Sequence, residues 1–277
     1  MASQHEIHVG ISGWDYASWR GDFYPQGLPA RERLPFAASR FSSIEVNGSF
    51  YSLQRPSTYE RWRELTPDGF VFALKGGRYI THLRRLREVE PALANFFASG
   101  PLALGPRLGP ILWQLPASME YDASTLRSFV ELLPASTAAA SRLAARHDAK
   151  LKEPAYLAID EERPLLHAIE PRSRTFDTPE FYDLLADHGM ACVPSDSPRW
   201  PLFEPGAAPF TYVRLHGHSQ LYASRYSGRL LDHWAERCRD WARGGPVFVY
   251  FDNDMHGHAP WDALRLLERL GVVRAVS

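Results

Sequence analysis

"PVFVYFDND", residues 246–254, is a short apolar run that stops abruptly on three polar side chains. The stretch from Val247 to Phe251 is too short for an ordinary helix and reads as a buried strand. The same pattern recurs upstream. "IHVGI" (7–11), "FSSIEVN" (41–47), "FVFALK" (70–75) and "PILWQL" (110–115) read as the first four strands. "LLHAIE" (165–170), "MACVPS" (190–195) and "FTYVRLHG" (210–217) are the next three, and 246–254 is the eighth.

Helical periodicity fills most of the gaps. "STYERWREL" (57–65) offers Ser57 as an N-cap, and "EPALANFFASG" (90–100) ends on a glycine suited to a C-cap. Residues 122–133, 178–189, 230–245 and 259–271 read as further helices. The crossover around 33–40 is weaker because Pro35 lies inside it.

Eight strands alternating with helices predict an α/β fold with a parallel sheet and right-handed crossovers. Eight strands also close a (β/α)8 TIM-barrel-like domain, and 277 residues is near the usual length of about 250. The expectation is therefore one such domain over 1–277. It carries an irregular insertion at 134–164, before the fifth strand, and no clear helix between strands six and seven. Within the insertion, "TAAASRLAARHDAKL" reads as a surface helix. An open doubly wound sheet is the alternative. "GISGW" (10–14) does not match G-x-G-x-x-G, so no nucleotide-cofactor motif supports it.

The 31 basic and 32 acidic residues give a net charge of −1, so no global field draws the chain to nucleic acid or anionic membrane. Cys192 and Cys238 supply neither a disulfide framework nor a CxxC metal spacing. The first ten residues lack the pattern of a signal peptide, and no apolar run nears the roughly 20 residues of a membrane span. A cytoplasmic protein without membrane contact is the expectation.

In a barrel of this kind, chemistry sits where the strands end. Strand one runs into Ser12, Gly13 and Trp14, and strand two carries Glu45 and Asn47 two apart. Strand three ends at Lys75, strand four at Gln114, and strand five at Glu170 with Arg172 beyond. Strand six leads to Asp196, strand seven carries Arg214 and His216, and strand eight ends in Asp252, Asn253 and Asp254. One charged strand end is ordinarily a solvated loop or an ion pair. Many together point to a shared polar site, because a charge inside an apolar strand needs a partner.

"THLRRLR" (81–87) adds His82 and several arginines after strand three, suited to gripping an anion. "HGH" (216–218) and "MHGH" (255–258) lack helical zinc spacing, and HExxH and GxSxG are absent. A mixed oxygen–nitrogen site for zinc, manganese or magnesium remains open to Glu45, Glu170, Asp196, His216 and Asp254. The loop "GISGWDYASWRGDFYP" (10–25) is dense in aromatics. Trp19, Phe23 and Tyr24 are expected to pack it down, leaving Trp14 and Tyr16 to face a ligand.

Together these motifs resemble the YecE-like family of bacterial and archaeal domains of unknown function. The likeness runs from about residue 8 to 270, through "GISGWDYASWRGDFYP", "IEVNGSFY", "WRELTPDGFVFALKGGRYITHLRRL", "WQLP", "YVRLHG" and "VFVYFDND". It implies a TIM-barrel-like fold and no particular reaction. Among the positions it transfers are Trp14, Glu45, Asn47, Lys75, His82, Gln114, Glu170, Arg172, Arg214, His216, Asp252, Asn253 and Asp254. After the fifth strand the family tends to read Glu-Phe-Arg-His and then Ser-Trp. This chain has "EPRSRTF" (170–176), with Pro171 and Ser173 in place of an aromatic and a histidine.

The favoured reading is an enzyme, a hydrolase or lyase, acting by acid–base chemistry on a small phosphate- or carboxylate-bearing substrate. Glu170, His216, Asp252, Asp254 and Glu45 are the catalytic candidates. Trp14, Tyr16, Asn47, Lys75, His82, Gln114, Arg172, Arg214 and Asn253 are the substrate-binding candidates. The alternatives are a metal-dependent phosphodiesterase on nucleic acid, resembling endonuclease IV-type barrels, and a non-catalytic ligand-binding module.

Overall fold

The computed structural model describes residues 5–272. The described residues divide into two compact units, one formed by those up to 45 and from 191 onward and the other by 46–190.

In the first unit, β1 (Ile7–Ser12) pairs in parallel with β2 (Ser43–Val46), whose last residue opens the second unit. The connection is α1 (Ala30–Arg40). Pro35 lies inside this helix, which accepts the lost backbone donor and still buries Leu34, Ala37 and Ala38.

The second unit begins with α2 (Gly48–Tyr51) and α3 (Pro56–Glu64). The expected cap at Ser57 is corrected here: Arg55 holds the N-cap position and Pro56 the first turn, where its missing N–H costs nothing. Then come β3 (Val71–Lys75), α4 (Glu90–Ala98), β4 (Leu108–Gln114), α5 (Ala123–Leu132), α6 (Thr137–Ala144), β5 (His167–Glu170) and α7 (Pro179–Asp187). β3 pairs with β4 and β4 with β5, all parallel. Gly100 follows α4 at φ 115°, the backbone region glycine tolerates best.

The helix expected in the 134–164 insertion is α6, capped by Ser136 and packed on α4. The insertion closes on itself, with Thr137 N–H bonded to Arg163 O and Leu165 N–H to Ala135 O.

The first unit resumes with β6 (Ala191–Cys192), β7 (Ser195–Asp196), β8 (Thr211–Leu215), α8 (Gly228–Trp241), β9 (Val247–Phe251) and α9 (Ala259–Leu270). β7 pairs with β8, β8 with β9, and β9 with β1, again parallel. The sixth predicted run is therefore two short strands. Pro194, which has no N–H for a ladder, lies at the break. No helix joins β7 to β8, as the sequence indicates. The parallel α/β character is thus as read from the sequence. Among the described residues, no helix is long and apolar enough to cross a membrane.

The second unit buries one histidine as part of its core. His167 accepts from the Trp113 indole N–H at 3.2 Å, and its other nitrogen lies 2.9 Å from Pro134 O. That leaves one neutral tautomer, and burial lowers its pKa to about 4. Below an unfolded pKa of about 6.5 the unfolded chain binds this proton and the folded chain does not. Stability is therefore lost as pH falls from about 6.5 towards 4, by about 3 kcal/mol from this residue at most. Urea unfolding between pH 7 and 5 checks it: the wild type should weaken on acidification, and H167N should show a visibly flatter slope.

Candidate functional site

The first unit gathers a buried charge network at its strand ends. β1 and β2 place Ser12 level with Glu45, and β8 carries Tyr212 and Arg214 on one face, followed by His216. Glu45 is fully buried and Arg214 nearly so. Glu45 Oε1 accepts from Ser12 Oγ at 2.5 Å and Arg214 Nη2 at 2.7 Å. Its Oε2 accepts from Tyr212 Oη at 2.6 Å and Arg214 Nε at 2.9 Å. With two donors on each oxygen, this carboxylate is engaged in holding the guanidinium. Burial and the Glu45 charge push the Tyr212 hydroxyl well above its ordinary range, so it stays a donor.

Arg214 passes the arrangement on to the residues after β9. Its Nη2 donates to Asp252 Oδ2 at 3.1 Å and its Nη1 to His216 Nε2 at 3.3 Å. A guanidinium only donates, so Nε2 is the accepting nitrogen of a neutral ring. The ring proton then sits on Nδ1, which lies 2.9 Å from Asp252 Oδ2. Trp200 and Tyr222 meet the His216 ring edge-on at 5.3 and 5.5 Å.

Asp254 differs from every other acid of this network. It is 9% exposed, and neither carboxylate oxygen has a well-formed hydrogen bond. Burial pushes its pKa well above the usual carboxylate range, and the charge of Asp252 adds to this. The Trp19 indole N–H works the other way and offsets only part.

Three candidates of this unit have other engagements. Asn253 is fully buried and donates to Ser224 O and Asp262 Oδ2, which tie its loop to α9. Asp196 Oδ1 lies 3.1 Å from His218 Nδ1, an exposed ring. Tyr16 donates its hydroxyl to Ser12 O at 2.8 Å and tilts against Trp19. Gly13, at φ 81°, makes this turn possible, since a Cβ there would lie 2.8 Å from the Tyr16 hydroxyl. Trp19, Phe23 and Tyr24 are buried and Trp14 is half-buried, the division expected from the sequence.

The second unit holds its own cluster. Lys75 at the end of β3 places Nζ 4.3 Å above the Phe50 ring, and Phe50 meets His82 edge-on at 5.1 Å. Gln114 on β4 lies level with Glu170 on β5. Gln114 Nε2 is 3.5 Å from His82 Nε2, and Thr81 Oγ1 is 2.9 Å from His82 Nδ1. Glu170, fully buried, accepts from Arg172 Nε at 3.0 Å and Nη2 at 2.9 Å. Asn47, half-buried, stands at the N-cap position of α2.

His82 reports the potential of this cluster. Its pKa is lowered to about 4 by burial and then by Lys75, Arg172 and Arg78, with Glu170 opposing them. Three cations against one carboxylate leave a positive excess around a neutral imidazole. Among the described residues, no group of three or more His, Cys, Asp or Glu is placed to hold a metal ion.

Ser12, Tyr212 and Arg78 were not among the predicted site residues. Tyr212 was within reach, since it shares the alternation of Arg214 and His216 along one strand. Arg78 precedes a π-helical turn, Tyr79–Leu83, that no composition signal marks.

Glu45 is the counter-charge most fully committed to Arg214, so E45Q leaves a buried cation with only the longer Asp252 contact as its counter-charge. The expected loss is about 3–5 kcal/mol of unfolding free energy. Denaturant unfolding at neutral pH, beside Y212F as a milder control, measures it.

Comparison with known proteins shows the family. The family model described as "Protein of unknown function DUF72" matches residues 8–276. The UPF0759 protein YecE of Escherichia coli (strain K12) is 24% identical, the alignment covering 98% of this chain and 97% of that protein. The UPF0759 protein YunF of Bacillus subtilis (strain 168) is 23% identical over 96% and 95%. A DUF72 family protein from Thermotoga maritima superposes with a TM-score of 0.77 at 24% identity, covering 96% of this chain and all of the other. One from Enterococcus faecalis gives 0.73 at 16% identity, over 96% and 95%. The YecE-like resemblance read from the motifs therefore holds, and the chain belongs to the DUF72 family.

Proposed function

We propose that this protein is an enzyme that acts by acid–base chemistry on a small anionic substrate bearing a phosphate or carboxylate. The observation that carries the substrate class is the second unit's cluster, where Lys75, Arg78 and Arg172 outweigh Glu170 around a neutral His82. An anion is the natural complement of that excess, and Arg172 and Lys75 are suited to grip one. Gln114 and Asn47 supply orienting amides.

The acid–base part is supported by the first unit. There Asp252 faces Arg214 and His216, while Asp254 lies buried without a well-formed bond and is driven towards its neutral form. Carboxyls whose environments push their pKa values apart are the usual basis for an acid and a base on one protein. Asp254 is the proton donor in this reading. His216, holding its proton on Nδ1, positions Asp252. Glu45 positions Arg214.

The finer fold expectation, a closed (β/α)8 barrel, belongs to this proposal, supported by all eight predicted runs becoming strands. So does a cytoplasmic location, supported by two buried cysteines that form no disulfide.

The test is a turnover assay on purified protein with a panel of phosphate monoesters and small carboxylic esters, each with and without added divalent metal. Turnover of one class is expected, with kcat falling about 10²–10⁴-fold in D254N and KM rising in K75A. Binding without turnover would favour the ligand-binding module. A D254N variant as active as the wild type would remove Asp254 from the chemistry.

A further inference from the structure

The second unit contains a cavity of about 570 Å³ lined by Leu53, Tyr79, Ile80, Ala92 and Phe96 among others. That volume is within the usual range for small-molecule sites. Most polar groups on its wall are already engaged with one another. Asn95 donates to Asp148 Oδ1 at 2.8 Å and accepts from its backbone N–H at 3.0 Å. Arg84 is paired with Glu88. The cavity therefore offers chiefly apolar and aromatic surface.

One wall is the π-helical turn Tyr79–Leu83, with Arg84 N–H reaching back to Tyr79 O at 2.8 Å. Directly after it, Arg85, Leu86 and Glu88 have φ of 50°, 68° and 52°. Side-chain-bearing residues rarely adopt this region, and both π-turns and such backbone cluster at functional sites. The same turn faces two ways. Tyr79 and Ile80 line the cavity, while Arg78 beside it and His82 within it belong to the cationic cluster.

We infer that this cavity receives the apolar body of the anionic substrate, which is therefore an amphipathic molecule: an aromatic or branched aliphatic group carrying a phosphate or carboxylate. The inference rests on the anion reading given above and adds the apolar half. The strained turn is what holds the two halves in register, since it supplies side chains to both. The room available exceeds one six-membered ring.

Calorimetric titration of the full chain tests it, using inorganic phosphate, methyl phosphate, phenyl phosphate and 1-naphthyl phosphate, with acetate, benzoate and 1-naphthoate in parallel. Phenyl phosphate should bind at least about tenfold more tightly than methyl phosphate, from the apolar area it buries. In A92W, which fills the cavity, and Y79A, which opens a partly exposed wall and keeps the fold readable, that preference should largely disappear. Inorganic phosphate should bind both variants as it does the wild type. Equal binding of the methyl, phenyl and naphthyl compounds, with inorganic phosphate still bound, would overturn this inference and leave the anion reading standing. A ring preference that survives A92W would also overturn it. Failure of every phosphate and carboxylate to bind would overturn the anion reading, and this inference with it.

Discussion

The buried pair of Glu45 and Arg214 is the constraint on which the first unit's strand ends depend. Removing two charges from water costs several kcal/mol for each ion unless the geometry is good and the remaining polar atoms are satisfied. Here the carboxylate receives four hydrogen bonds, from Ser12, Tyr212 and two guanidinium nitrogens. The pairing requires β1, β2 and β8 to be in register, because each contributes a donor or acceptor at one level. A slip by one residue would turn Arg214 to the opposite face and leave Glu45 without its partner.

The same pair explains what the neighbouring acids can do. Arg214 still reaches Asp252 and His216 once Glu45 is engaged, and this holds Asp252 as a partnered carboxylate. No such donor set reaches Asp254, two residues further on. Burying a carboxyl without a well-formed hydrogen bond is unfavourable. Groups kept in an unfavourable state by their surroundings are concentrated at functional sites. In the second unit Lys75, Arg172 and Arg78 act on His82 against Glu170. Each unit thus carries one feature of note, an acid that favours its proton in the first and cations that depress the pKa of a histidine in the second.

Much of this was legible in the sequence. Short apolar runs ending in polar residues located all the strands, because burial and strand length are written in composition. The buried aromatics of the first loop, Trp19, Phe23 and Tyr24, were separable from Trp14 and Tyr16. Some features were not legible, for physical reasons. The sixth run split at Pro194, where a missing N–H interrupts a ladder that apolarity alone would continue. Pro56 took the helix start expected of Ser57. The turn at Tyr79–Leu83 and the positive φ of Leu86 fall on residues with no intrinsic preference for them. Asp254 lacks a well-formed hydrogen bond, and no motif encodes that lack. Metal candidates chosen by residue type, such as Glu45 and Glu170, have arginines bonded to them instead.

The central claim is that Asp254 is an acid held towards its neutral form by burial and by the charge of Asp252. Isotope-edited infrared spectroscopy of carboxyl-labelled aspartate, compared between wild type and D254N across pH 4 to 9, reads it directly. The account predicts a protonated-carboxyl band that persists well above the ordinary aspartate range and is missing from D254N. A difference spectrum in which Asp254 is fully ionised by about pH 5, as an unperturbed aspartate would be, would contradict it.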